Sequence, residues 1–113
     1  GSIVVTGEGG STTTNLQQGL AKVWVNFDGT ATDAAARDSF NVSGQADNGT
    51  GDFTTSFTNN MNNDDYAAPE GVNEAAAELK TLATGSLRLE TANSSGSSSQ
   101  KDTSTFAVFG DLA

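Results

Sequence analysis

The stretch from Gly19 to Thr30 constrains the fold most strongly, because its apolar residues recur at every second position. Val23, Val25 and Phe27 alternate with more polar neighbours. A period of two is typical of a β-strand with one buried face, and β-branched and aromatic residues suit such a strand. Asp28-Gly29 follows and turns easily. The stretch therefore predicts a half-buried strand that ends in a turn.

The same alternation recurs along the chain between turn signals. Asn48-Gly49 is a strong hairpin signal, because both turn positions can take a positive φ, and the returning strand would carry Phe53 and Phe57 on one face. Leu87 and Leu89 alternate in the same way in a later segment. The predicted strands lie at residues 3–6, 22–27, 38–42 (with Phe40 and Val42 on one face), 53–58, 86–91 and 103–109.

Two segments predict short helices. Asn15 is placed to cap one turn over residues 16–18, which Gly19 would end. Residues 73–82 show apolar side chains at helical spacing. The residues behind this second prediction are Val72, Ala75 or Ala76, Leu79 and Leu82, with Asn73 as the cap and Glu74 in the first turn.

Length and composition favour one small domain. The chain has 113 residues, of which 13 are Gly and only 35% are hydrophobic. Such a chain buries a thin core, favours short strands with many turns, and gains from association with copies of itself. We expect a mainly β fold, an antiparallel β-sandwich-like domain with one short helix. Residues 1–14 form an extended arm or linker in this interpretation, and residues 15–113 form a β-sandwich-like head domain.

The charge of the chain excludes some partners. Fourteen acidic residues oppose five basic ones, so the net charge is −9. This charge repels phosphate backbones and anionic membranes, so we expect neither a nucleic-acid nor a membrane partner. No apolar run approaches the roughly 20 residues of a membrane-spanning helix. The absence of Cys fits a protein made in a reducing cytoplasm.

The residue types argue against catalysis. His and Cys are both absent, so the commonest general bases, thiol nucleophiles and zinc ligands are missing. We expect no enzymatic activity, and a polysaccharide-degrading enzyme is the alternative from that class. Its acidic pairs would be Asp64 with Asp65, Asp47 with Asp52, or Glu74 with Glu78.

We expect no cofactor and no metal, with a structural divalent cation such as calcium as the alternative. Residues 47–52 crowd carboxylates and amides beside glycines, as calcium loops do, and residues 59–65 are a second candidate. A hairpin turn explains the first segment, and we favour it. Trp24 and Tyr66 suggest a sugar-binding platform, but we favour a buried Trp24 because aromatic residues dominate small cores.

Several ordered segments resemble one family of virion proteins. The resemblance covers residues 15–59 and the C-terminal strand, roughly half of the chain, and the family comprises virion structural proteins of tailed bacteriophages, abundant in marine phages and usually described as tail-fibre proteins. It implies a strand near residues 73–82, where spacing favours a helix. The matching segments are Asn15–Lys22, Trp24–Thr30, Arg37–Ser43, Asp47–Thr54 and Phe106–Asp111.

The resemblance implies a homotrimeric tail-fibre or fibre-tip domain of a virion. It would attach to a host surface polysaccharide or protein through loops at residues 44–51, 59–65 and 93–102, and contact other virion proteins. An alternative is a capsid decoration or fibre protein, or a self-assembling extracellular filament subunit that uses the N-terminal arm. The candidate binding residues are Asn48, Asn60, Asn62, Asp64, Asp65 and Tyr66, and the candidate assembly residues are Ile3, Val4, Val5 and Trp24.

Overall fold

The computed structural model describes residues 3–73, 76–101 and 103–113. It is a mainly β protein, as expected, with two four-stranded antiparallel sheets and a two-stranded sheet formed by β1 and β2 near the N-terminus. Its elements are β1 (Val4–Thr6), β2 (Thr13–Asn15), α1 (Leu16–Gly19), β3 (Val23–Phe27), β4 (Ala36–Phe40), β5 (Val42–Gly49), β6 (Asp52–Phe57), β7 (Glu70–Val72), β8 (Ala76–Ala83), β9 (Ser86–Ala92) and β10 (Ser104–Val108). No helix in the described ranges is both long and apolar enough to cross a membrane.

The two sheets form a sandwich. Sheet I has the order β4-β3-β10-β7, and sheet II has the order β5-β6-β9-β8. The C-terminal strand β10 is thus central, between β3 and β7, which its apolar sequence allows. The facing sides supply the core, which consists of Val23, Val25, Phe27, Ala34, Phe53, Phe57, Met61, Tyr66, Ala68, Leu87, Leu89, Phe106 and Val108.

The alternation seen in the sequence decides which side chains enter the core. Leu87 and Leu89 are each 1% exposed in β9, so their predicted inward orientation is confirmed. Phe27 of sheet I meets Phe53 of sheet II edge to face, with ring centroids 5.0 Å apart. This geometry suits aromatic pairs and joins the two sheets.

The sandwich has two distinct ends. The hairpin end carries the turn after β3, the β5–β6 turn and the chain between β9 and β10, where Gly29 N donates to the carbonyl oxygen of Lys101 at 2.9 Å. The C-terminal end carries α1, residues 58–68, the β8–β9 turn and residues 109–113. A bridge between Met61 and Leu112 joins residues 58–68 to residues 109–113.

The helix predicted over residues 73–82 is wrong, because β8 is a strand paired with β9. Leu79 lies opposite Leu89 and Leu82 opposite Leu87, with a bulge between Leu79 and Thr81. The extra residue of a β-bulge changes the spacing of inward side chains from two or four to three. The spacing therefore imitated a helix.

The residues assigned to that helix start also behave differently. Asn73 does not cap a helix. Its N–H donates to the carbonyl oxygen of Thr103 at 3.1 Å, and its side-chain oxygen accepts from Thr103 N at 3.0 Å. Glu74 and Ala75 lie outside the described residues. The other short helix, α1, is confirmed, and the Asn15 side chain accepts from Gln17 N as its N-cap.

The predicted strand over residues 38–42 is divided between the two sheets. Asn41 has a φ of 60° and separates β4 of sheet I from β5 of sheet II. Phe40 is 54% exposed, whereas Val42 packs against the core. The two side chains therefore do not share a face, because the left-handed residue between them redirects the chain.

The predicted hairpin is confirmed, but its turn lies two residues later than Asn48-Gly49. The turn is at Thr50-Gly51, and the register shifts between Asp47 and Gly49. Gly51 has a φ of +67° and Gly49 a φ of +141°. This turn position requires glycine, because a Cβ at Gly51 would lie 2.5 Å from the carbonyl oxygen of Thr91.

Candidate functional site: polar loops and an apolar face

Two of the three predicted binding loops meet at the hairpin end, but the first is mostly strand: residues 44–49 lie in β5, and only residues 50–51 form the turn. Thr91 N donates to the carbonyl oxygen of Gly51 at 2.8 Å, and Ser99 N donates to that of Thr91 at 3.0 Å. The Gln100 side-chain amide lies 3.4 Å from a carboxylate oxygen of Asp47. Residues 47–51 and 93–101 therefore form one polar surface, which we call the hairpin-end surface. Asp102, the last residue of the predicted loop, lies outside the described residues.

Asn93 organises the serine-rich part of this surface. Its side-chain oxygen accepts from Ser95 N at 3.0 Å, from Ser95 Oγ at 2.9 Å and from Ser97 N at 3.1 Å. Gly96 closes the turn with a φ of +86°. This part of the predicted binding loop is thus a tight asparagine-capped turn, because Asn readily bonds to backbone amides two residues onward.

The third predicted loop, residues 59–65, lies at the opposite end. Met61 is 1% exposed and holds the loop to the core, with its N–H donating to the carbonyl oxygen of Thr84 at 2.8 Å. Asn48 belongs to the hairpin-end surface, so the fold separates it from the other candidate binding residues. Those that are exposed at the C-terminal end are Asn60, Asn62, Asp64 and Asp65.

Tyr66 is buried beneath this loop and does not contribute to a surface platform. It is 7% exposed and packs edge to face on Phe57, with ring centroids 6.2 Å apart. Its hydroxyl lies 2.9 Å from the carbonyl oxygen of Ala83 and 3.0 Å from that of Ser86. Burial raises the pKa of Tyr66 to about 12, with the nearby Asp64 charge acting in the same direction and the Ala83 bond opposing it.

The carboxylates of the candidate calcium loop already have partners. Asp47 accepts from Gly49 N at 3.0 Å, while Asp52 accepts from Arg88 Nε at 2.8 Å and from the Asn48 side chain at 3.3 Å. Among the residues described, no three or more acidic side chains gather as metal ligands would. The hairpin and its hydrogen bonds account for the composition of this segment.

A charged ladder crosses the outer face of sheet II, and sequence reasoning did not find it. Arg88 bonds both carboxylate oxygens of Asp52 and lies 3.7 Å from Glu90, which is 3.6 Å from Lys80. The hydrogen bond from Arg88 holds the pKa of Asp52 below its ordinary value, although burial opposes this. Alternation placed these residues outward, but only strand pairing shows which charges meet.

The outer face of sheet I is apolar near the C-terminal end. Trp24 is 37% exposed, so its predicted burial in the core is wrong: residues 23, 25 and 27 face inward, and Trp24 takes the opposite side. Trp24 pairs with Phe40 on one neighbour and with Ala107 on the other. We call this row, which Pro69 extends, the apolar row; Ala107 N donates to the Pro69 carbonyl oxygen at 3.1 Å.

The N-terminal arm is a β-hairpin rather than an open linker. β1 pairs with β2, and residues 3–14 are all exposed. Of the candidate assembly residues, Ile3, Val4 and Val5 are 64%, 59% and 44% exposed. The molecule measures 49 × 27 × 23 Å, an elongation that fits an arm projecting from one end.

Comparison of the chain with protein-family models, with curated proteins and with solved structures found no match.

Proposed function

We propose that this chain is a structural module of a tailed-phage virion, a tail-fibre or fibre-tip domain that forms a homotrimer and attaches to the host surface. The sequence resemblance supports this proposal. The surface of the molecule also supports it, because the apolar arm and apolar row lie toward one end and the hairpin-end surface lies at the other. A module held at one end and presenting polar loops at the other needs this polarity. We place it in the assembled virion, in contact with other virion proteins.

The hairpin-end surface is the host-facing side in this proposal. Its exposed groups are short amide and hydroxyl side chains at Asn48, Thr50 and residues 94–98. Such groups make individually weak hydrogen bonds to sugars or to protein surfaces. Three copies in one fibre, and many fibres on one particle, convert weak contacts into avidity. The module therefore binds without turnover and uses no cofactor.

Binding of purified protein to bacterial cells and to extracted surface polysaccharide tests this proposal. Native mass is first measured by light scattering after size exclusion, with a trimer as the expected result. Ser94→Arg places a bulky charge on the hairpin-end surface, and Asp64→Arg places one on residues 59–65. Both positions are exposed. We expect Ser94→Arg to abolish cell binding and Asp64→Arg to retain it.

The outcomes separate the alternatives. Loss of binding in Asp64→Arg alone would move the receptor site to the C-terminal end and overturn the hairpin-end assignment. No binding to any host surface by the wild-type trimer would overturn the attachment function. Release of reducing sugar ends would instead show an enzyme.

A second candidate is a capsid decoration protein or filament subunit that joins its neighbour through the arm. One observation favours it: β1 and β2 form a two-stranded sheet with exposed apolar side chains and unpaired edges. Such an edge is a template for strand addition. Long polymers in the light-scattering measurement would favour this function over the trimeric fibre tip.

A further inference from the structure

An apolar groove adjoins the base of the N-terminal arm. It has a volume of about 550 Å³ and is lined by residues of α1, the chain entering β3, the end of β4 and the C-terminus. Leu20, Phe40 and Leu112 supply its apolar surface and are 51%, 54% and 46% exposed. Phe40 also belongs to the apolar row, where it lies opposite Trp24. The groove and the row therefore share one side chain.

The arm that leaves the rim of this groove has its own apolar side chains. Ile3, Val4 and Val5 all remain exposed. An isolated two-stranded hairpin is marginally stable in water and normally needs a further strand or a packing surface. The arm thus has apolar side chains exposed to solvent, and the groove is an exposed apolar surface against which they can pack.

The arm does not fill the groove of its own chain, because the apolar side chains of both are exposed. Leu16 N donates to the carbonyl oxygen of Ile3 at 2.7 Å, and Gln17 N donates to the Asn15 side chain at 2.9 Å. Lys22 Nζ donates to the carbonyl oxygens of Gln17 and Leu20, which joins α1 to the start of β3. Folding the arm back would break this capped turn, so an occupant from a second molecule is favoured.

We propose that the arm of one copy docks in the Leu20–Phe40–Leu112 groove of another copy of this chain. In a trimer, each subunit makes one such contact with the next, and the three contacts close the ring. The proposal rests on the assembly part of the proposed function and specifies the partner and the two surfaces.

The charge distribution favours this contact over contacts between other surfaces of two copies. The chain carries a net charge of −9, so most pairs of surfaces repel one another. Residues 3–21 contain Glu8 as their single charged side chain. The carboxylate at the groove rim, Asp111, accepts from the Gln18 side chain at 2.5 Å. The arm and α1 are thus the part of the chain on which a second acidic molecule can pack with little repulsion.

The exposed apolar side chains supply part of the area that a specific contact buries. The three arm side chains, together with Leu20, Phe40 and Leu112, each leave on the order of 100 Å² exposed, or roughly 600 Å² per arm-and-groove contact. Specific interfaces bury roughly 1,200–2,000 Å² in total. The apolar side chains of one contact therefore supply part of this area, and the backbone and polar side chains of the arm and of the groove rim must bury the remainder.

Disulfide trapping tests the contact directly, because the chain has no Cys of its own. A Val5→Cys variant is mixed with a mass-tagged Leu112→Cys variant and oxidised mildly. We expect a mixed disulfide between the two variants. The control partner is Ser97→Cys, an exposed position on the hairpin-end surface. Equal trapping of Val5→Cys with both partners, or none with Leu112→Cys, would overturn the proposal.

Association of matched arm variants gives a second measurement. Val4→Thr with Val5→Thr keeps β-branched residues of similar shape but removes apolar surface, whereas Val4→Ile with Val5→Ile keeps it. We expect the threonine pair to raise the dissociation constant about tenfold to hundredfold and the isoleucine pair to leave it near the wild-type value. Indistinguishable native masses for the two pairs at every concentration would contradict the arm contact.

The two proposals fail in different ways. Cell binding by a protein that shows no arm-to-groove disulfide would retain host attachment and overturn the arm contact. Specific trapping by a protein that binds no host surface would support the arm contact and overturn attachment.

Discussion

Trp24 lies directly opposite Phe40 across the β3–β4 pair, on the outer face of sheet I. Directly opposed residues of antiparallel strands point to the same side of a sheet, so the two side chains form one exposed aromatic patch. Neither residue belongs to the core. A small acidic protein that exposes two of its aromatic side chains together presents a surface suited to association.

The first prediction separates this patch from the core. Phe40→Ala should change the free energy of unfolding of the monomer by less than about 1 kcal/mol, because Phe40 is 54% exposed. Phe57→Ala is the matched control, since that side chain is 5% exposed, and it should cost about 3–5 kcal/mol. Denaturant unfolding followed by the fluorescence of the single Trp measures both. Equal losses would contradict the assignment of Phe40 to the outer face.

The second prediction concerns the turn at Gly51. Gly51→Ala should lower the free energy of unfolding by about 3 kcal/mol or more, because a left-handed φ and a clash with the Thr91 carbonyl oxygen act together. Gly96→Ala is the control, since its φ is also positive but its Cβ would meet open space. It should cost about 1–2 kcal/mol, from the left-handed backbone conformation alone. Thermal unfolding of the two variants measures the difference, and equal costs would show that backbone strain alone decides both.

The third prediction is a loss of stability at high pH that depends on Tyr66. Burial raises its pKa from 10.0 to about 12. The unfolded chain therefore loses this proton first, so the stability is fully present below pH 10 and is lost as the pH rises toward 12. Tyr66 is the single tyrosine, so tyrosinate absorbance reports on it alone.

The control for this titration is Tyr66→Phe. It should lose about 1 kcal/mol at neutral pH, because the Ala83 and Ser86 carbonyl oxygens lose their donor. It should also lose the part of the alkaline destabilisation that comes from the phenol. Titration of the folded protein near pH 10 would contradict the buried hydroxyl.

The fourth prediction concerns the acid side and Asp52. The Arg88 hydrogen bond lowers the pKa of Asp52 below 3.8, so the stability from this pair is present above that pH and is lost as the pH falls through the pKa of the folded state. Asp52→Asn should reduce stability near neutral pH, and the difference from wild type should shrink in acid. Glu78→Gln is the control, because Glu78 is 70% exposed and 3.9 Å from Lys80. A constant difference between Asp52→Asn and wild type across pH would contradict the assignment.

Local pattern predicted most of the inward positions, because strand alternation depends on neighbouring residues alone. Val23, Val25 and Phe27, for example, are recognisable as one buried face from spacing. Alternation shows which residues share a face of a strand. Where both faces carry apolar groups, it does not show which face a second sheet covers. Trp24 shows this limit, since its exposure depends on which face of sheet I packs against sheet II.

The failures have one physical origin, which is contact between residues far apart in the sequence. The bulge between Leu79 and Thr81 arises in register with β9 and gave residues 73–82 a helical spacing. Asn41 redirects the chain between sheets because its side chain donates to the carbonyl oxygens of Lys22 and Asn59 at 3.1 Å each. Such bonds join residues far apart in sequence, so no local window contains them.

The candidate surfaces divide in the same way. Composition and alternation by themselves determined a small, acidic, antiparallel β protein with polar loops and an apolar N-terminal segment. Only the tertiary structure decided that Asn48 and residues 59–65 lie at opposite ends of the sandwich, that Tyr66 is buried, and that the arm lies next to an exposed groove. The reason is that loop position follows from the direction and order of the strands, which long-range hydrogen bonding and core packing select.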